Sequence, residues 1–398
     1  MSIVLDGSGG ITTNSGTVVS TTDATISGLT VGKGAGSDTY STVVGYSALS
    51  GSNTAQNNNA FGYQALTSNT TGPRNSAFGR ASLTANTTGY DNTGFGHASL
   101  SSTTTGASNT GIGSGALQSN TTASNNTAVG YQASYANTTG AYNTAVGYQA
   151  GYSNTTGGYN TFFGMQSGYS NTTASNGVFI GWQAGYGNTT GYANIGIGLN
   201  ALSGNSTVTG NDNTAIGNYS SNSNRAALQY NSSGAYNVAV GNGALGNNTT
   251  ANGSTAIGYQ AGYSTTTATL TAVGYQAGYG ATSSNSTFLG YQAGGNLTTG
   301  YQGEYIGSLA TASSSGATNE IVIGFQTTGK GNSTGYINPG GGGVYQGNNS
   351  SSWSTTSDQR LKKNIVDNTV GLEAINQIKV RNFEYRLPEE VTELETHC

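Results

Sequence analysis

The amino-acid sequence predicts an all-β chain, an elongated parallel β-solenoid of about 17-residue coils, and three features of its 398 residues predict it. A glycine recurs at Gly45, Gly62, Gly79, Gly96, Gly113, Gly130, Gly147, Gly164, Gly181 and Gly198, with the same step every time. The residue before it is always apolar, from Val44, Phe61 and Phe78 to Ile306 and Ile323. Around it the residues alternate with period two, as in Thr127, Val129, Tyr131 and Ala133 against Ala128, Gly130 and Gln132. That alternation, rich in β-branched and aromatic side chains, reads as a strand. A period held this strictly marks stacked structural units.

Residues 1–40 precede the repeat and are read as an N-terminal attachment segment. The coils occupy 41–328. After Gly198 the series continues at Gly217, Gly241, Gly258, Gly274, Gly290, Gly307 and Gly324, and a long insert at 218–237 breaks the even step. Within a coil, Ala or Ser stands three residues after the glycine (Ala65, Ser82, Ala116, Ala133) and Asn four before it (Asn58, Asn75, Asn92, Asn109, Asn126, Asn143, Asn160). The Asn-Thr-Thr-Gly segments read as turns. Each coil is therefore expected to hold a short strand, a turn, a second short strand and a turn. The small residues at and after the glycine mark a close approach of another backbone. A stretch at 329–356, with Pro339 and Gly340 to Gly343, reads as a Gly/Ser-rich linker.

One coil cannot stand alone. Ordering its backbone costs roughly 17–34 kcal/mol at about 1–2 kcal/mol per residue, whereas burying one Val, Ile or Phe returns about 1.5–3 kcal/mol. Stacking supplies the rest, because each coil pairs with both neighbours and extends a continuous core. So thin a coil has little interior, and several chains are expected to pack side by side.

Composition excludes other classes. Charged residues are 7% of the chain against 65 Gly and 26 Tyr. High net charge with few aromatics, the mark of disorder, is absent, and Gly does not recur every third residue as in collagen. The net charge of -4 gives no basis for nucleic-acid binding. No apolar run reaches the length of a membrane span, so no membrane insertion is expected. The opening MSIVLDGSGG lacks a secretory signal's basic flank and apolar stretch. The single Cys398 makes no internal disulfide. No cofactor is expected: Gly324 to Lys330 fits a phosphate-loop pattern only until Gly331, where Ser or Thr should bind magnesium, and His97 and His397 stand apart from any metal-ligand cluster.

The Asn-Thr-Ala-Val/Ile-Gly-x-x-Ala/Ser columns resemble the left-handed parallel β-roll in the heads of trimeric autotransporter adhesins, and similar repeats in bacteriophage tail fibres. The resemblance covers about residues 41–330 and implies a homotrimer.

The tail changes character. Between Asp91 and Asp212 there is no charged residue, whereas 358–398 holds fourteen of the chain's 26. The run Ser357-Asp358-Gln359-Arg360-Leu361-Lys362-Lys363-Asn364-Ile365 precedes Leu372, Ile375 and Ile378 at helical spacing and an alternating 380–386. This is similar to the start of the intramolecular chaperone auto-processing domain of endosialidase-type phage tailspikes and fibres. The resemblance implies a small α+β segment that trimerises the fibre and then cleaves between Ser357 and Asp358, with Ser357 and Lys362 as the implicated pair. The family domain is considerably longer than this segment, so 357–398 is expected to be its beginning. Lys362 can act as general base if its pKa is depressed. Ser357 attacking its own carbonyl would close a strained four-membered ring; a neighbouring protomer's serine, or water assisted by Asp358, attacks more easily.

A repeat needs such a clamp because a slip of one whole coil superimposes equivalent side chains and leaves register weakly specified. Receptor contact is expected at Arg80 and His97, which share the column after the glycine one coil apart, and at Arg225 and Tyr230 in the insert. The plain alternative for all four is solvated surface. The column of Tyr131, Tyr148, Trp182, Tyr259, Tyr275 and Tyr291 reads as a structural ladder before a glycan platform. Together these features predict a structural virion protein, a trimeric tail fibre or spike assembled in the host cytoplasm. Its partners would be a virion tail or baseplate protein and a host surface glycan or protein receptor. The alternatives are a bacterial trimeric surface adhesin and an ice-binding β-solenoid, the latter needing a regular Thr array on one strand face.

Overall fold

In the computed structural model, residues 24–355 are described apart from short breaks at 27–28, 35–39, 52–53, 205–206, 220–224, 283–284, 341 and 348–351. An antiparallel hairpin of β1 (Ala24–Ile26) and β2 (Leu29–Gly32) leads into the repeat. From β3 (Thr42–Val44) to β19 (Ile321–Gly324) each coil contributes one strand of three or four residues, paired in parallel with the strands of the coils before and after it. The register follows the repeat: Thr127, Ala128 and Val129 oppose Thr144, Ala145 and Val146. Where the step lengthens, between Gly217 and Gly241, the pairing still holds, with Ala215 opposite Ala239. The stretch read as a linker carries β20 (Gly335–Asn338), parallel to β19, then β21 (Val344–Gln346) and β22 (Ser354–Thr355), both antiparallel.

Among the described residues the second strand of each coil does not form. After the glycine, the residues two and four positions on take left-handed φ values, as at Gln132 (51°) and Ser134 (49°). The chain still pairs coil to coil there, with Gln132 N–H donating to Ser114 C=O at 2.9 Å and Leu117 N–H to Ala133 C=O at 3.0 Å. Alternate positive φ satisfies the backbone groups without the extended geometry of a strand.

The core also differs from the one assumed in weighing a coil's burial. The apolar residue before the glycine is not buried in any coil of the described chain; Phe95 is 56% and Ile112 40% exposed. The buried columns are the middle strand residue (Ala60, Ala77, Ala128, Ala145, Phe162), the Ala or Ser three after the glycine, and the Leu or Gly next to it. A strand's side chains alternate between faces, and the narrow interior admits the small middle residue while its larger neighbours point outward. Volume is exchanged between columns in part of the chain. The coils with Ala60, Ala77, Gly94 and Gly111 at mid-strand carry Leu66, Leu83, Leu100 and Leu117, whereas Phe162 lies between Gly151 and Gly168, where a Cβ would strike its ring.

Two asparagine ladders line the interior. Asn126 Oδ1 accepts from Asn143 N–H at 2.8 Å, and Asn126 Nδ2 donates to Gly140 C=O at 3.0 Å. In the turns, Asn137 Nδ2 donates to Gly140 C=O at 2.9 Å and to Asn120 Oδ1 at 3.0 Å. Asn137, Asn154 and Asn171 head Asn-x-Thr sequons yet are fully buried, so these amides serve turn chemistry.

Candidate functional site

The outward side of the strands forms a stripe two columns wide. One column is the apolar residue before the glycine, where Phe61 and Phe78 stack with centroids 4.8 Å apart. The other is the residue after it, where Tyr46 and Tyr63 (5.6 Å) and Tyr131 and Tyr148 (5.5 Å) stack. Tyr131, Tyr148, Met165 and Trp182 are each close to half exposed. Contiguous apolar surface of this kind marks an interaction face.

Arg80 and His97 interrupt that stripe. Arg80 Nη1 lies 2.9 Å from His97 Nε2, and the guanidinium sits 5.9 Å from the Tyr63 ring centroid. A guanidinium only donates, so His97 Nε2 is the accepting side of this contact. Nearby in sequence, Arg74 pairs bidentately with Asp91, at 2.6 Å and 3.0 Å. That hydrogen bond raises the Arg74 pKa and lowers the Asp91 carboxyl below the ordinary aspartate value. Both groups are open to solvent, so the pair adds little stability. Arg225 places its guanidinium 3.5 Å from the Tyr230 ring centroid, a cation–π contact within the insert. The structure thus brings Arg80 to His97 and Arg225 to Tyr230.

Threonines are not confined to turns. Thr93, Thr110, Thr127, Thr144 and Thr161 open successive strands and stand on the outward face. Beside them run Phe95, Ile112, Val129, Val146 and Phe163, so the face pairs one Thr column with bulky apolar side chains.

Sequence reasoning missed Glu320. It occupies the asparagine column, four residues before Gly324, and is the one fully buried charged side chain among the described residues. Its Oε1 accepts from Gly331 N–H at 2.9 Å; its Oε2 accepts from Ser313 N–H at 3.0 Å and Tyr305 O–H at 3.3 Å. Burial, then the Glu320 charge, raises the Tyr305 pKa far above that of an ordinary tyrosine. An acid in a column of asparagines was the available signal.

Ser357, Asp358 and Lys362 lie outside the described residues. Residues 357–397 match the model of a protein family described as chaperone of endosialidase. The match begins at Ser357 and takes in Asp358 and Lys362. No curated protein and no solved structure matches the chain.

Proposed function

We propose that the protein is the shaft of a trimeric phage tail fibre or spike whose C-terminal domain aligns three chains and then cuts itself away. The observation that carries this reading is a β-solenoid followed directly by an endosialidase-type chaperone domain. The outward stripe supports three-chain assembly: Phe95, Ile112, Phe163 and Ile257 are apolar, regularly spaced and exposed in a single chain. Covering each would return on the order of 1 kcal/mol per coil. Arg80 and His97 interrupt the apolar run of the stripe and are receptor contacts of this reading where neighbouring chains leave it open. Arg225 and Tyr230, in the insert, are the others.

The clamp answers the register problem, since a one-coil slip leaves nearly the same contacts. Cleavage breaks the Ser357–Asp358 peptide: a neighbouring protomer's Ser357 hydroxyl, its proton taken by Lys362, adds to the carbonyl carbon, the C–N bond breaks as the Asp358 amine takes that proton, and water then hydrolyses the ester to free the hydroxyl. Losing the clamp removes the route to realignment and leaves a kinetically stable shaft.

Light scattering on the purified full chain tests assembly, with a mass of three chains expected and a single-chain mass overturning it. Intact mass spectrometry tests processing: a fragment ending at Ser357 is expected from the native sequence and none from Ser357→Ala. Labelling native particles for this chain in electron micrographs tests the virion location.

A further inference from the structure

Two side-chain ladders run along the turn side of the coils and stop one coil apart. In the column five residues after the glycine, Tyr135, Tyr152, Tyr169 and Tyr186 stack at 5.1–5.2 Å. The column resumes with Tyr263 and Tyr279, at 5.2 Å and an interplanar angle of 2°. The next position in it is Gly295. Two residues after the glycine, Gln276 Nε2 donates to Gln260 Oε1 and Gln292 Nε2 to Gln276 Oε1, at 2.8 and 2.9 Å. The next position in that column is Leu309.

The double stop leaves a cleft of about 270 Å³ lined by Tyr279, Gln276, Gln292, Gly295, Asn296 and Leu309, with Thr311 at its side. Tyr279 is 36% exposed. A Cβ on Gly295 would meet only the Gln292 carbonyl, at 3.1 Å, as a close neighbour, so the place of the absent ring is open. No other described side chain donates to Gln292 Oε1, because Leu309 replaces the next amide. Asn296 Nδ2 donates to Ala312 C=O and its Oδ1 accepts from Ala312 N–H, both at 2.8 Å, which holds its amide in place and leaves one N–H hydrogen over.

We infer that this cleft is a subsite for one neutral pyranose ring of an oligosaccharide, stacked on Tyr279 in the place a ladder tyrosine would take. Its volume lies just under the roughly 300–1,000 Å³ of common ligand pockets, which suits a single ring. No charged side chain lines it, so a phosphate or carboxylate ligand finds no counter-charge. A pyranose has an apolar face for the tyrosine ring and hydroxyls around its edge for Gln292, Asn296 and Thr311. A purely aromatic guest would cover those amides without pairing them, at a desolvation cost. The inference deepens the host-contact part of the proposed function but rests on the cleft alone: its failure would leave chain mass and cleavage unchanged.

The test is saturation-transfer NMR on the full chain with maltotriose, cellotriose and triacetylchitotriose at millimolar concentration, beside sialic acid and phenol. Transfer to at least one neutral trisaccharide is expected, and none to sialic acid. Gly295→Tyr refills the ladder without disturbing the core and should abolish that transfer; Tyr279→Ala should reduce it at least tenfold. Unchanged circular dichroism shows that both variants fold. The inference is overturned by no transfer to any of the three sugars, by transfer that survives Gly295→Tyr, or by phenol alone occupying the cleft.

Discussion

Asn126 Oδ1 accepts the backbone N–H of Asn143, one coil further along, at 2.8 Å. The same contact recurs from Asn109 to Asn126 and from Asn143 to Asn160, so a side chain joins coils where the strand ladder has not yet begun. Asn126→Ala leaves the Asn143 N–H buried without a partner, while the Gly140 C=O keeps the Asn137 amide as donor. At about 1–3 kcal/mol for one orphaned group, a loss of that size is expected, read from urea denaturation of the full chain. An unchanged denaturation midpoint would show that the ladder is decorative.

Gly130 has φ 136°, and a Cβ there would fall on the Gly147 carbonyl, 2.7 Å from its carbon. Gly130→Ala therefore combines backbone strain with a clash that no side-chain movement relieves, and about 2–5 kcal/mol of destabilisation is expected. Gly295→Ala is the contrast: its Cβ would meet one close atom, the Gln292 carbonyl at 3.1 Å, φ lies outside the left-handed region, and Tyr263 and Tyr279 fill the same position in their coils, so its melting temperature should hold or rise slightly.

Phe162 fills the interior between Gly151 and Gly168. Phe162→Ala should cost about 3–5 kcal/mol through lost burial and a cavity. Gly168→Leu alone should also destabilise, since its Cβ strikes the ring. Together they recreate the Ala-plus-Leu arrangement of the coils at Ala60 and Ala77, and the double variant should recover about 1–3 kcal/mol over the sum of the singles. Simple additivity in a double-mutant cycle would refute volume exchange between the columns.

Tyr305 and Glu320 make stability depend on alkaline pH. A folded-state pKa raised above the unfolded value near 10 gives stability that is complete below pH 10 and is lost as pH rises toward the folded value. Tyr305→Phe removes a hydrogen bond to a carboxylate and should cost about 1–3 kcal/mol at pH 8. Above pH 10 the native chain loses up to about 1.4 kcal/mol per pH unit that the Phe variant does not. The gap between the two should therefore narrow in urea titrations at pH 8, 10 and 11; a constant gap would contradict the buried pairing.

Coil length, parallel register and turn positions were legible in the sequence, because each rests on a constraint repeated in every coil. The constant glycine step became the pairing of Thr127 with Thr144, and Asn137-Thr138-Thr139-Gly140 became a closed turn. The site was less legible. Arg80 and His97 stood out as a rare arginine and histidine and do meet, whereas Glu320 and the cleft beside Tyr279 passed unread, since each is a departure from a column rather than a member of one.

What the sequence determined by itself is periodic: a unit that recurs must pair with its own copy, so repeat length and strand register follow from spacing. Which side of each strand faces inward was decided only by the tertiary structure. Hydrophobicity alone would bury Phe95 and Ile112, but the space inside a coil is set by neighbouring backbones and holds alanine, asparagine and one larger side chain. The physical reason is that burial belongs to the volume several coils leave together, and no single residue carries that information.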